Sequence, residues 1–387
     1  MRQTGHAAIA ERRVRIAMRT TRLLLTASAA TVAFAAPAAA RPVSDEAAVS
    51  TPDALPSIDA RAFATSSLTL PGGIHGKVIS FKTRNPAHFR EWFAGDPGGH
   101  ATLSAQLFVG EGRTDAPLIV MVPGSANIGP HHLDQVALLA SEGFAVLLID
   151  PLHGRSIQST AGDQAQLSWA ASVFDILAGI DAVAGDPAVD TGRIGLLGSS
   201  RGGFAVVTAM MSQITERFLP SGTRIVAGFA GYPWCGLQFW QPRIAGDSAL
   251  RIFSGDRDDW VSIQQCQDLV HSLAQRNKSV QLKLLHGAGH AFDRAGVPPT
   301  RLPDIPRTTQ FPTVYMDDDG NFLDPATGEI DDRLTEADFL EQVVKGGFVE
   351  RGVTVGSEGD QANIYNSEML DFFRDAFGTT SELKGLP

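Results

Sequence analysis

The chain has 387 residues, 43% of them hydrophobic and 19% charged, which places it among ordinary globular proteins and excludes a disordered or fibrous one. Its 32 basic residues against 42 acidic ones give a formal charge of −10, so it offers no basic field to a phosphate backbone, and no nucleic-acid partner is expected. Two cysteines are too few for a disulfide framework or a Cys-rich zinc module and leave room for one bridge.

The N-terminus reads as a targeting segment rather than as part of the fold. Arg12, Arg13, Arg15, Arg19 and Arg22 form a basic flank, followed by the apolar run from Leu23 to Ala36 and by Pro37-Ala38-Ala39-Ala40, whose small residues suit a signal peptidase. The run is shorter than the ~20 residues that span a bilayer as a helix, so residues 1–40 are expected to be a cleaved secretory signal, without a stable membrane anchor. An Arg-rich transit peptide is the alternative, Met18 is a second candidate start, and Arg12-Arg13 is a weak twin-arginine hint. Secretion or periplasmic export is the expected destination.

Residues 41–70 are polar and contain proline, and are expected to be an extended lead-in to a domain over residues 71–387. Eight short apolar runs then follow, at Lys77–Lys82, Leu103–Val109, Leu118–Pro123, Ala145–Asp150, Arg193–Gly198, Ile225–Ala230, Leu250–Gly255 and Val280–Leu285. Many are rich in Val, Ile and Leu, as strands buried on both faces should be. Between them the 3.6-residue period predicts helices near His132–Glu142, Leu167–Ala184, Gly203–Arg217 and Ile263–Gln275, with a last one near Asn363–Phe377. Such alternation predicts an α/β fold with a mainly parallel eight-stranded sheet flanked by helices. Residues 294–361, with Pro298-Pro299 and the turn Asp317-Asp318-Asp319-Gly320-Asn321, break the alternation and read as an insertion before the C-terminal helix, not a separate domain.

Gly198-Ser199-Ser200-Arg201-Gly202 matches G-x-S-x-G, the elbow in which a serine sits on a strained strand-to-helix turn that tolerates only small neighbours. The pattern alone is weak, but a strand signal runs into it and a helix signal leaves it. A serine hydroxyl is a poor nucleophile, so it requires a histidine as base and a carboxylate to orient that histidine, in the chain order Ser, acid, His. The acid is expected in Asp256-Arg257-Asp258-Asp259, where Asp258 is the first choice and Asp256 and Asp259 are equally plausible as turn or cap residues. For the base, His290, flanked by small residues, is better placed than His286, which ends its strand. The oxyanion hole needs two backbone N–H groups: Arg201 supplies one, and Ser125 or Ala126, after the sharp turn at Gly124, supplies the other.

Taken together, Gly198-Ser199-Ser200-Arg201-Gly202-Gly203, Tyr232-Pro233-Trp234-Cys235-Gly236, Gly255 to Val261 and His290-Ala291-Phe292-Asp293 resemble the dienelactone hydrolase-like branch of the α/β-hydrolase superfamily over roughly residues 75–293. The resemblance implies the α/β-hydrolase fold, no cofactor, Asp258 as triad acid and His290 as base. Two departures matter. The namesake enzymes use cysteine where Ser200 stands, which moves the expectation from lactones toward general carboxylic esters, and Pro123 replaces the histidine that relatives carry before the oxyanion turn.

Cys235 and Cys266 follow neighbouring parallel strands, so they are expected near one sheet edge and joined as a disulfide. His131, His153 and Trp234 fall at the C-terminal edge of the sheet, where open α/β folds bind ligands, and are candidate substrate-pocket residues. No metal site is expected: His131 and His132 are adjacent and point apart, and Asp317–Asp319 fails the calcium-loop pattern and reads as a hairpin turn. The Arg201 side chain has two readings, a grip for a substrate carboxylate or a structural salt bridge. The expected partner is a small-molecule ester, and oligomeric state is left open.

Overall fold

The structure is a computed structural model that describes residues 55–276, 279–324 and 327–378. The expected signal segment, residues 1–40, lies outside the described residues. The lead-in is not wholly extended: Asp59 caps a short helix, α1 (Ala60–Thr65), its carboxylate accepting from the Arg61 and Ala62 amides, and Phe63 is fully buried. An N-cap aspartate ahead of one buried aromatic is a one-turn signal, too short for periodicity to register.

The strands in chain order are β1 (Thr69–Leu70), β2 (Ile74–Asn85), β3 (Gly99–Phe108), β4 (Ala116–Val122), β5 (Ala145–Asp150), β6 (Val189–Ser199) and β7 (Ile225–Gly231). They continue with the short β8 (Leu237–Phe239), then β9 (Ala249–Gly255) and β10 (Val280–Leu285). Nine of these ten form one sheet in the order β1-β2-β3-β5-β4-β6-β7-β9-β10. The first four pair antiparallel, and from β5 to β10 every neighbour is parallel. All eight expected strands are in it, and the ninth, β1, is a two-residue addition. The chain order jumps across β4, so the C-terminal ends of β4, β6, β7, β9 and β10 gather the loops that carry chemistry.

Helices α2 (Phe89–Phe93), α3 (Pro130–Ser141), α4 (Trp169–Val183), α5 (Arg201–Ala209), α6 (Ser212–Phe218) and α7 (Ile263–Ala274) cover the sheet. Side-chain alternation in β4 sorts the two cores: Leu118, Val120 and Val122 join Ile176, Ile180 and Phe204 on one face, while Ile119 and Met121 join Val136, Leu139 and Phe373 on the other. Edge strand β10 buries only Val280 and exposes Lys283, which discourages pairing with another chain. The single helix expected over Gly203–Arg217 is two helices. Met211 is extended, bridges Ile244, and the Ser212 N–H donates to Arg243 O, while Met210 packs into the space left by Gly228 on β7.

The segment from residue 294 is an insertion built of β11 (Thr300–Arg307), β12 (Val314–Met316), β13 (Phe322–Leu323), β14 (Ile330–Asp331), α8 (Glu336–Lys345) and β15 (Glu350–Val355), followed by the last helix, α9 (Gln361–Phe377). β11 pairs with β15, and β12 lies between β13 and β8, so the insertion is stitched to the loop after β7. It shares the parent cores: Val314, Met316, Phe322 and Phe339 belong to one, and Leu302, Ile305, Val353 and Val355 to the other. The Asp317–Asn321 turn closes the β12–β13 hairpin, with Asp317 accepting from the Asp319 and Asn321 amides.

Candidate active site

β6 runs directly into Ser200, whose backbone sits at φ 54°, ψ −115°, outside the ordinary wells for a side-chain-bearing residue. The turn survives because glycine stands two residues to either side of it, at Gly198 and Gly202. A Cβ on Gly198 would lie 2.4 Å from Gly202 O, and one on Gly202 would lie 2.3 Å from Val122 O. The Ser200 N–H donates to Gly231 O at 2.8 Å, which ties the elbow to the end of β7. Strain held in this way presents the hydroxyl at the sheet edge instead of folding it into α5.

The His290 imidazole reaches both neighbours the elbow requires: Nε2 is 2.9 Å from Ser200 Oγ and Nδ1 is 2.7 Å from Asp258 Oδ2. The imidazole is 1% exposed and the Asp258 carboxylate is fully buried. The second Asp258 oxygen accepts from the Trp260 and Val261 amides, so the carboxylate is oriented by three donors. The rival acids have other work. Asp256 accepts from the Gly287 amide and pairs with the exposed His286, and Asp259 accepts from the Thr354 amide and from Arg301 of the insertion.

The histidine loop is held from three directions. Tyr232 packs edge-on against the imidazole with centroids 4.7 Å apart, Trp260 covers it at 4.8 Å, and Gly356 N–H donates to His290 O at 3.0 Å. Tyr232 Oη also donates to Asp293 Oδ1 at 2.5 Å, three residues beyond the imidazole. Burial and then Asp293 hold the Tyr232 phenol well above its ordinary pKa, so it stays a donor.

The expected oxyanion residues flank the hydroxyl. Arg201 opens α5, where the first N–H groups of a helix have no partner within it, and Gly124 brings the β4 loop so close that a Cβ there would lie 3.1 Å from Ser200 Cβ. The next residue, Ser125, lines the same cavity as Ser200, and Gln164 donates to its hydroxyl at 3.0 Å. The Arg201 side chain is structural. Its buried guanidinium donates to Gln164 Oε1 at 2.7 Å, to Gln164 O and to Leu167 O, and lies 4.1 Å over Trp169; burial lowers its pKa to about 10.

A cavity of about 370 Å³ opens at Ser200. Trp234 lines it, as expected for a pocket residue, but His131 and His153 do not. His131 is turned inward at the start of α3, 3.8 Å from Asp293, and its ring lies 3.9 Å from that of His132 at 42°, so the two histidines do not point apart; burial drives its pKa well below the ordinary value. His153 points to solvent, because its turn is directed by Arg155, which reaches inward to pair with the buried Asp175. Cys235 and Cys266 form a disulfide with Cα atoms 5.1 Å apart, anchoring the loop that carries Trp234 to α7.

Sequence reasoning missed the contribution of the insertion. Phe311, Val314, Phe322, Phe339 and Val343 supply much of the cavity wall, and Glu336 at the start of α8 accepts from Trp169 N–H at 3.0 Å across the gap. The signal was available in Thr335-Glu336-Ala337-Asp338, a reciprocal capping box ahead of Phe339 and Val343. Burial raises the Glu336 carboxyl to about 7, and its Oε1 is sealed from solvent without a hydrogen-bond partner.

Residues 104–301, just over half of the chain, match the model of the dienelactone hydrolase family. The chain belongs to the dienelactone hydrolase family. It is similar to an uncharacterised peptidase, YuxL, of Bacillus subtilis (strain 168), 27% identical over 225 residues that make up 50% of this chain and 33% of that protein, so it spans about a third of that relative's length. A probable 2-oxo-3-(5-oxofuran-2-ylidene)propanoate lactonase of a Bradyrhizobium species is 27% identical over 196 residues, 46% of this chain and 73% of the other. Among solved structures, the dienelactone hydrolase-like promiscuous phosphotriesterase P91 from metagenomic libraries aligns at TM-score 0.36 and 21% identity, covering 57% of this chain and 86% of that one.

Proposed function

We propose that this family member is an exported serine hydrolase that cleaves carboxylic esters through an acyl-enzyme. The observation that carries the reading is the chain of two hydrogen bonds from Ser200 Oγ through His290 to Asp258. In this reading His290 Nε2 takes the hydroxyl proton as Ser200 Oγ attacks the ester carbonyl carbon, and Asp258 holds the imidazolium in place. The N–H groups of Ser125 and Arg201 receive the oxyanion, worth about 10²–10³ in rate per donor. Collapse expels the alcohol, protonated by His290; water then attacks the acyl-serine with His290 as base, releasing the acid.

Export is supported by the Cys235–Cys266 bridge, which suits an oxidising compartment, and by the basic, apolar and small-residue pattern of residues 1–40. A lactonase reading uses the same attack on a cyclic ester and draws support from the Bradyrhizobium relative. Turnover of p-nitrophenyl esters beside lactone and peptide substrates, with Ser200→Ala as control, tests the proposal. Ester cleavage lost in S200A supports it, and cleavage retained in S200A or absent from the native chain contradicts it.

A further inference from the structure

The cavity beside Ser200 is a specific shape, and its chemistry points to the acyl group. Resting on the ester-hydrolase reading above, we infer that the insertion builds an acyl pocket selective for medium-length aliphatic chains, disfavouring both aromatic and anionic acyl groups.

Three observations carry the inference. First, the cavity's aromatic rings are largely engaged by the protein, Trp260 against His290 and Phe311 edge-on to Phe348 among them. Trp169 has the Arg201 guanidinium 4.1 Å and the Trp234 ring 4.3 Å from its centre, and two groups at such distances must occupy opposite faces. The backbone at Gly236 lies so close to Trp234 that a Cβ there would come within 2.4 Å of its Cε2, and Phe322 meets Phe339 edge to face. An aromatic substrate therefore finds little open ring to stack on. Second, branched aliphatic residues, among them Leu237, Val261, Val314, Leu340 and Val343, form a large share of the wall, beside Trp260, Phe311 and the polar Asp163, Gln164 and Thr308. Third, the arginines at the cavity are engaged by the protein itself. Arg201 donates to Gln164 and Leu167, Arg307 pairs with Glu350, and Arg351 donates to Asp304 O. A carboxylate-bearing acyl group would meet the side chain of Asp163 and the buried Glu336 carboxyl instead of a free cation.

Side and size follow from the same walls. The leaving oxygen must face His290 Nε2, whereas the cavity joins the oxyanion residues Ser125 and Arg201 to the insertion, so it receives the acyl rather than the alcohol part. A methylene takes up about the 30 Å³ share of a water molecule, so about 370 Å³ has room for about twelve such units, enough for a chain of octanoyl to decanoyl length together with the ester carbonyl.

The test is a series of p-nitrophenyl esters from acetyl to dodecanoyl, with benzoyl and hemisuccinyl esters alongside, on the intact protein and on Val343→Trp and Leu340→Trp. The expected result is a rise in kcat/KM of about three- to fivefold per methylene up to octanoyl or decanoyl, with benzoyl and hemisuccinyl at least tenfold below octanoyl. Either tryptophan variant that folds should lower the octanoyl-to-acetyl ratio about tenfold or more. Changing the alcohol with the acyl group fixed should matter far less. A flat or falling chain-length profile, or benzoyl equal to octanoyl, in protein whose Ser200 still reacts with a fluorophosphonate overturns the pocket and leaves the hydrolase reading standing. Absence of both turnover and Ser200 labelling overturns the two together.

Discussion

His290 and Val355 are joined as a parallel bridge, so the last strand of the insertion borders the loop that presents the imidazole to Ser200. The insertion is therefore more than a cover: its final strand shares backbone hydrogen bonds with the histidine loop, and its preceding helix walls the cavity. Gly356, one residue further on, has φ +123°, and a Cβ there would sit 2.5 Å from Pro298 O. Gly356→Ala is expected to destabilise the fold by about 1–3 kcal/mol and to lower kcat at least tenfold through displacement of His290, read by thermal melting and ester turnover. Native-like kcat in the folded variant would show that the bridge does not position the imidazole.

The three adjacent acids should separate by activity. Asp258→Asn leaves the imidazole with the wrong hydrogen-bond partner, and a fall in kcat of about 10³–10⁴ is expected with KM little changed. Asp256→Asn, at an exposed turn, is expected to change kcat less than twofold. Steady-state kinetics of the two variants side by side check the assignment, and equal losses would refute it.

How legible all this was in the sequence differs by element. The eight main strands could be read because each is a Val-, Ile- or Leu-rich run bounded by turn residues; in β5 all six residues are buried. The elbow could be read because its glycines answer to close backbone contacts, which no other residue satisfies. Asp258 ranked ahead of Asp259 by its place in the strand-end loop, and the family resemblance supported that ranking, which amide acceptance alone cannot give, since both carboxylates accept backbone amides. The insertion was opaque because its strands β12, β13 and β14 are two or three residues long, too short for a period to appear. His131 and His153 were placed correctly in the chain and wrongly in space: a loop position at the sheet edge does not say whether a side chain turns toward Asp293 or toward solvent.

Glu336 links stability to pH. Its carboxyl titrates near 7 in the folded chain, raised by burial, against an ordinary value near 4.5, so between these values the folded state holds a proton that the unfolded state has released. Stability from this group is therefore highest below about 4.5 and declines as pH rises to about 7, by on the order of 2–3 kcal/mol. Glu336→Gln keeps an oxygen for Trp169 N–H and removes the titration. The melting temperature of the variant relative to the native chain should rise steadily between pH 4.5 and 7.5, and a constant difference across that range would contradict the assignment.

The Cys235–Cys266 bridge closes a loop with a sequence separation of 31 residues. Replacing both cysteines by serine is expected to cost about 2–4 kcal/mol, measured by denaturant unfolding without reductant. The same change frees the Trp234 loop from α7, so octanoyl esters should lose more kcat/KM than acetyl esters. An unchanged unfolding midpoint would show that the bridge does not constrain the chain.

The most direct test of the central claim is the site and rate of fluorophosphonate modification in the native protein and in His290→Ala, located by peptide mass spectrometry. The account predicts one adduct, on Ser200, formed at least a hundredfold more slowly without the imidazole. Modification at another residue, or equal rates in the two proteins, would contradict it.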